Sequence, residues 1–107
     1  YNGSLPGVFK NAIDWLSRPP KDIARVFGEK PVALMGATPG QGGTRLSQAA
    51  WLPVLRTLGT RVWFGKLLYV SGATLAFDHD GKLVDEKVRG LLSEFMTGFA
   101  AFVQAGK

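Results

Sequence analysis

The stretch "KPVALMGATPGQGGTR" constrains the fold of this chain more than any other. Its apolar run, residues 32–35, is too short for a helix and lacks polar alternation, as expected of a strand covered on both faces within a parallel sheet. Gly36 opens a turn-rich loop, and a segment of helical period follows. Strand, glycine-rich loop and helix form the repeating unit of α/β proteins, which bind ligands at such loops, beyond the carboxyl ends of the strands.

The rest of the chain alternates in the same way. A first helix is predicted after Ser4, a candidate N-cap, with Pro6 in its first turn. Val8, Phe9, Ala12, Ile13 and Leu16 form its apolar stripe, Lys10, Asn11, Asp14 and Ser17 its polar face, and Pro19-Pro20 stops it. A second helix is predicted over 44–58, with Gly59 as C-cap and a stripe of Leu46, Ala50, Trp51, Leu55 and Leu58. Pro53 inside it removes one backbone hydrogen bond and predicts a bend.

"RVWFGKLLYV" reads as one interrupted strand or two short ones, and "FDHDGKL" as a turn. The last helix, about 85–105, carries the cleanest stripe: Val88, Leu91, Leu92, Phe95, Phe99, Phe102 and Val103. The order helix, strand, helix, strand, helix predicts an α/β fold with a parallel sheet covered on both faces. Two strands are a small floor for three helices. The expectation is therefore that several strands precede Tyr1 and that these 107 residues are one part of a larger domain.

Composition narrows the function classes. Apolar residues at 46% and charged residues at 20% fit a globular domain and argue against disorder. No apolar run approaches the roughly 20 residues of a membrane span, no signal peptide is visible, and a cytoplasmic home is expected. The absence of cysteine excludes disulfides, zinc-thiolate sites and thiol nucleophiles within the segment. The net charge of +5 is spread from Lys10 to Lys107 among acidic residues, rather than gathered on one element. That argues against a nucleic-acid partner and for a mild attraction toward anionic small molecules.

"GATPGQGGTR" fails both standard phosphate-loop patterns. A P-loop needs glycine five residues after Gly36, where Gln41 stands; the dinucleotide fingerprint needs glycine after Gly40 and Gly42 at position 45, where Arg45 stands. Two readings remain, a flexible turn or a loop of free backbone N–H groups gripping a polar ring edge or an anion. "YNGSLPG" is its companion. Asn2-Gly3 favours a tight turn with positive φ, and Tyr1 offers a flat ring, or else the segment is only a lead-in to the helix. His79, between Asp78 and Asp80, is the sole histidine; the twelfth position from Asp78 is Arg89, so an EF-hand fails and no metal site is expected. Trp15, Trp51 and Trp63 read as core or subunit-contact residues. No Ser-His-Asp set can be assembled, so any reaction here is expected to be carried by something other than catalytic side chains.

"YNGSLPGVFKNAIDWLSRP" followed by "KPVALMGATPGQGGTR" resembles the NADPH-dependent FMN reductases, which include chromate and quinone reductases. "FDHDGKLVDE" and the terminal helix resemble that family's ending, so the resemblance runs along essentially the whole chain. It implies a flavodoxin-like three-layer αβα fold with a parallel sheet, of which residues 1–107 would be the C-terminal portion, about two strands and three helices. The family's FMN-phosphate loop and the Pro-Glu that usually precedes the tyrosine have no counterpart here, so the segment by itself is expected to be inactive and to bind FMN poorly.

The same resemblance assigns Tyr1, Asn2 and Gly3 to the flavin ring edge, and Thr38, with Gly40, Gly42 and Gly43, to the cofactor as well. It places Arg45 near the NADPH phosphate or a substrate anion. It implies FMN and NADPH or NADH as cofactors, and hydride transfer through the flavin to a quinone, chromate, another flavin or a similar small acceptor. A homodimer or homotetramer is implied too. The alternative is a flavodoxin-like binding or scaffold module without redox activity.

Overall fold

The computed structural model describes residues 1–106. In chain order its elements are α1 Gly7–Leu16, a 3-10 turn Pro20–Asp22, α2 Ile23–Val26, β1 Pro31–Val32, β2 Gly36–Ala37, α3 Arg45–Thr57, β3 Arg61–Val62, β4 Tyr69–Val70, α4 Ala73–Ala76 and α5 Glu86–Ala105. The chain divides into two compact units, residues 1–32 with 46–62, and residues 33–45 with 63–106.

In the first unit β1 pairs in parallel with β3, Pro31 opposite Arg61 and Val32 opposite Val62. Trp51, Leu55 and Leu58 are its most deeply buried apolar side chains. The α3 C-terminus closes in a Schellman arrangement: the Gly59 N–H donates to the Arg56 carbonyl at 3.0 Å and the Thr60 N–H to the Leu55 carbonyl at 3.2 Å, with Gly59 at φ +77°. The expected C-cap glycine is thus in place. Pro53 lies within α3 as read from the sequence.

The start of α1 differs from expectation. Ser4 does not cap it; the preceding residue is Pro6, which makes no side-chain cap bond. The Ser4 N–H is instead committed to the Tyr1 carbonyl, 2.9 Å, in the turn before the helix. The apolar stripe of α1 is also largely uncovered, with Val8 88% exposed and Phe9 and Leu16 each 55% exposed. Phe9 does reach Trp51, with ring centroids 4.9 Å apart. Ser17, expected on the polar face, is buried and donates to the Asp14 carbonyl at 2.7 Å. A two-residue ladder is too narrow a floor to cover a ten-residue helix. Trp15 and Leu46 are exposed as well, contrary to a core role for either.

In the second unit β2 pairs in parallel with β4, Gly36 opposite Tyr69 and Ala37 opposite Val70. Leu68, Val70, Ala76 and Phe95 form the core, with Ala33, Trp63, Leu83, Val88 and Leu92 packed against it. Trp63 meets Phe95 edge-on at 5.1 Å. A Cβ on Gly98 would lie 2.6 Å from the Trp63 ring, so the glycine in α5 makes room for the indole. The stripe of α5 matches expectation at Val88, Leu92 and Phe95, while Leu91 is 44% exposed. Asp85 caps the helix by accepting the Val88 N–H at 3.1 Å. The turn ahead of it is held by Asp78, whose Oδ1 accepts the N–H groups of Asp80 and Lys82, both at 2.9 Å.

The run 32–35 is not one continuous strand. Strand pairing occurs at 31–32 and 36–37, so Gly36, placed in the turn by its sequence, is a strand residue. The reason lies in the register. Between the two pairings stand residues 33–35 on one side and 63–68 on the other, so no single ladder can run through them. All pairings between named strands are parallel, as the alternating order required.

Candidate functional site

Two loops carry the candidate residues, one in each unit. The first is the turn ahead of α1. Asn2 has φ +50° and Gly3 φ +78°, the pair of positive values that defines a type I′ turn, and the Ser4 N–H closes it on the Tyr1 carbonyl. Asn2 and Gly3 are among the few residue types that adopt this conformation cheaply. The closure leaves the N–H groups of Asn2 and Gly3 without an acceptor among the described residues, and the Tyr1 ring is 86% exposed. A Cβ on Gly3 would touch the Leu46 side chain at 3.5 Å, so the turn sits beside the first residues of α3.

The second loop joins β2 to α3 and is tied to the segment that follows β4. Thr38 extends the ladder through its N–H, which donates to the Val70 carbonyl at 2.9 Å. The Thr38 carbonyl accepts the Ala73 N–H at 2.9 Å, the Gly40 carbonyl accepts the Gly72 N–H at 3.1 Å, and the Gln41 carbonyl accepts the Ser71 hydroxyl at 2.8 Å. Three loop carbonyls are thereby committed. The N–H groups of Gln41, Gly42 and Gly43 have no acceptor among the described residues. The Gly40 N–H makes only a long bond, 3.4 Å, to Thr38 Oγ1. The result is a loop with three carbonyls held by the segment after β4 and a run of N–H donors left open.

Gly43 has φ +63°, and a Cβ there would lie 2.9 Å from Tyr69 Cβ. At Gly36 a Cβ would run into the Thr44 side chain. Gly42 differs: nothing lies within 4 Å of where its Cβ would be. The Arg45 guanidinium carbon stands 4.8 Å from the centre of the Tyr69 ring. Tyr69 and Ser71, which brace this loop, were not singled out in the sequence. The only signal for them is their place at the end of a strand that pairs with β2.

His79 is 90% exposed in its side chain and lies beside Asp80 at 3.5 Å. Among the described residues no cluster of three His, Cys, Asp or Glu side chains is arranged to hold a metal. A surface depression of about 500 Å³, lined by Lys82, Leu83, Arg89, Leu92, Ser93 and Met96, lies on α5 away from the second loop. The candidate residues therefore lie on two open, donor-rich loops, one in each unit. Among the described residues no helix is long and apolar enough to cross a membrane.

Parallel strand pairs, helical connections and a glycine-rich loop at the carboxyl end of a strand define an α/β protein of flavodoxin-like class. The chain belongs to the NADPH-dependent FMN reductase family, whose model matches residues 1–95. It is 38% identical over 104 residues to an NAD(P)H-dependent FMN reductase of Pseudomonas aeruginosa, covering 97% of this chain and 55% of that protein. It is 36% identical to a 2-hydroxy-1,4-benzoquinone reductase of a Burkholderia species, covering 97% of this chain and 56% of that protein. Among solved structures it is similar to FerB, a flavoenzyme NAD(P)H:(acceptor) oxidoreductase from Paracoccus denitrificans. The TM-score is 0.85 at 34% identity, over 98% of this chain and 57% of FerB. The chain spans just over half the length of these relatives.

Proposed function

We propose that the protein is an NAD(P)H-dependent, FMN-containing oxidoreductase that passes hydride by way of the flavin to a quinone, chromate, flavin or similar small acceptor. The observation that carries this reading is the asymmetry of the second loop, with the carbonyls of Thr38, Gly40 and Gln41 tied and the N–H donors of Gln41, Gly42 and Gly43 open. An isoalloxazine edge offers two carbonyl oxygens and the unprotonated nitrogens N1 and N5 as acceptors, so the donor set fits it. The names of the relatives support the same chemistry.

When bound, FMN supplies hydride acceptance and return, chemistry that needs no acid–base pair from the protein. The residues proposed to hold it are Tyr1, Asn2 and Gly3 in one loop and Thr38, Gly40, Gly42 and Gly43 in the other. The open N–H groups of Gln41, Gly42 and Gly43 would fix the ring's polar edge. The exposed Tyr1 ring would shield a flat aromatic surface from water. Arg45 is proposed to meet an anionic group, the NADPH phosphate or a charged acceptor. It has no carboxylate within ion-pair distance among the described residues.

The test is flavin content. The full-length protein, purified and supplied with FMN, is expected to be yellow and to oxidise NADPH or NADH with a quinone present. A folded full-length protein that stays colourless in excess FMN would reject the reading and favour a binding or scaffold role without redox work.

A further inference from the structure

We infer that Tyr69 is the positioning residue for Arg45, and that it sets how strongly the site prefers a reactant carrying a negative charge near that guanidinium. The inference rests on the flavin-reductase reading and adds a specificity determinant to it. Arg45 is exposed, and among the described residues neither an ion pair nor a hydrogen bond engages its donors. Its contact of record is the Tyr69 ring, 4.8 Å from guanidinium carbon to centroid. An arginine side chain has four rotatable bonds, and ordering it for a ligand costs entropy. A ring that holds the cation beforehand removes part of that cost and leaves the N–H donors free for an oxyanion.

Tyr69 is itself well anchored. It pairs with Gly36 in the β2–β4 ladder, and its Cβ packs on Gly43, where no side chain fits. Ser71, two residues on, bonds the Gln41 carbonyl. The same short segment thus fixes the donor-rich loop and the arginine that follows it. A rotation of Tyr69 would disturb both, whereas loss of its ring alone releases only the guanidinium.

The negative charge has two sources, the 2′-phosphate of NADPH or an anionic acceptor. Tyr69→Leu, Tyr69→Phe, Arg45→Ala and the double variant Tyr69→Leu/Arg45→Ala are made in the full-length protein. KM is measured for NADPH against NADH, and for a sulfonated naphthoquinone against the neutral quinone. Binding of 2′-phospho-ADP-ribose and ADP-ribose is measured by calorimetry, which needs no turnover. An exposed cation–π contact is worth roughly a 2- to 5-fold change in affinity. Tyr69→Leu is therefore expected to raise KM about 3-fold for one charged reactant while leaving its uncharged counterpart and kcat unmoved. Tyr69→Phe, which keeps the ring, should behave as wild type, and Tyr69→Leu should add nothing in the Arg45→Ala background.

A shift with NADPH and 2′-phospho-ADP-ribose points to the dinucleotide; a shift with the sulfonated quinone alone points to the acceptor. Should Tyr69→Leu not fold, Tyr69→Met, unbranched and ringless, takes its place. The inference is overturned if Tyr69→Leu affects charged and uncharged reactants equally, if Tyr69→Phe matches Tyr69→Leu, or if the effect persists without Arg45. Flavin content of the wild type is measured alongside. A colourless wild type that still binds 2′-phospho-ADP-ribose through Tyr69 would reject the flavin reading and spare the positioning role.

Discussion

Three glycines of the second loop region do different jobs. Gly36 and Gly43 are there because a side chain has no room, and Gly43 also has a backbone that L-residues adopt at a cost of about 1–2 kcal/mol. Gly42 has space around it, so no neighbour among the described residues requires it to lack a side chain. Gly43→Ala is accordingly expected to lower stability by about 1–2 kcal/mol in urea unfolding. Gly42→Ala should stay within roughly 0.5 kcal/mol of wild type yet weaken FMN retention. Equal destabilisation by the two would show that Gly42 is structural. Sequence alone could mark these glycines but could not sort Gly42 from Gly43, because the crowding at Gly43 comes from Tyr69, far along the chain.

Among the elements, α5 is the one whose sequence carried most of its own description. Its length and its packed positions Val88, Leu92 and Phe95 depend on residues within four places of one another, and these were legible, whereas the Asp85 cap was not singled out. Asp85→Ala should cost about 1 kcal/mol through loss of the Val88 bond, and Asp85→Ser should recover most of it, as read from the unfolding midpoint. Phe95 is 2% exposed at the centre of its cluster. Phe95→Ala is expected to cost about 3–5 kcal/mol, several times the cap, and a loss below 1 kcal/mol would contradict the packing described. By contrast, α1 had a clear period and a stripe that its unit leaves largely uncovered. Periodicity announces which face is apolar; it does not say what lies opposite.

For the molecule as a whole, the charge of +5 is distributed rather than concentrated. Lys10 pairs with Asp14 at 2.7 Å, Arg25 lies 3.6 Å from Asp22 and Lys66 lies 3.7 Å from Glu94, so part of the basic surface is locally offset. Such pairs are individually weak, but they break up any continuous positive stripe. The protein is expected not to retard duplex DNA in a gel even at low salt, where phosphate binding is strongest. Retardation that fades steeply with added salt would overturn this.

The sequence by itself determined what short-range sterics and local hydrogen bonds decide: the positive-φ turn at Asn2-Gly3, the glycine stop at Gly59 and the parallel sense of the strands. Only the tertiary structure decided which strand residues pair, why the ladder breaks between 32 and 36, and which ring lies under Arg45. Those features join residues 24 to 33 places apart, and no local pattern specifies them. They follow from the unequal segments between the two pairings, residues 33–35 on one side and 63–68 on the other, which split one apolar run between two short ladders and pair Tyr69 with Gly36.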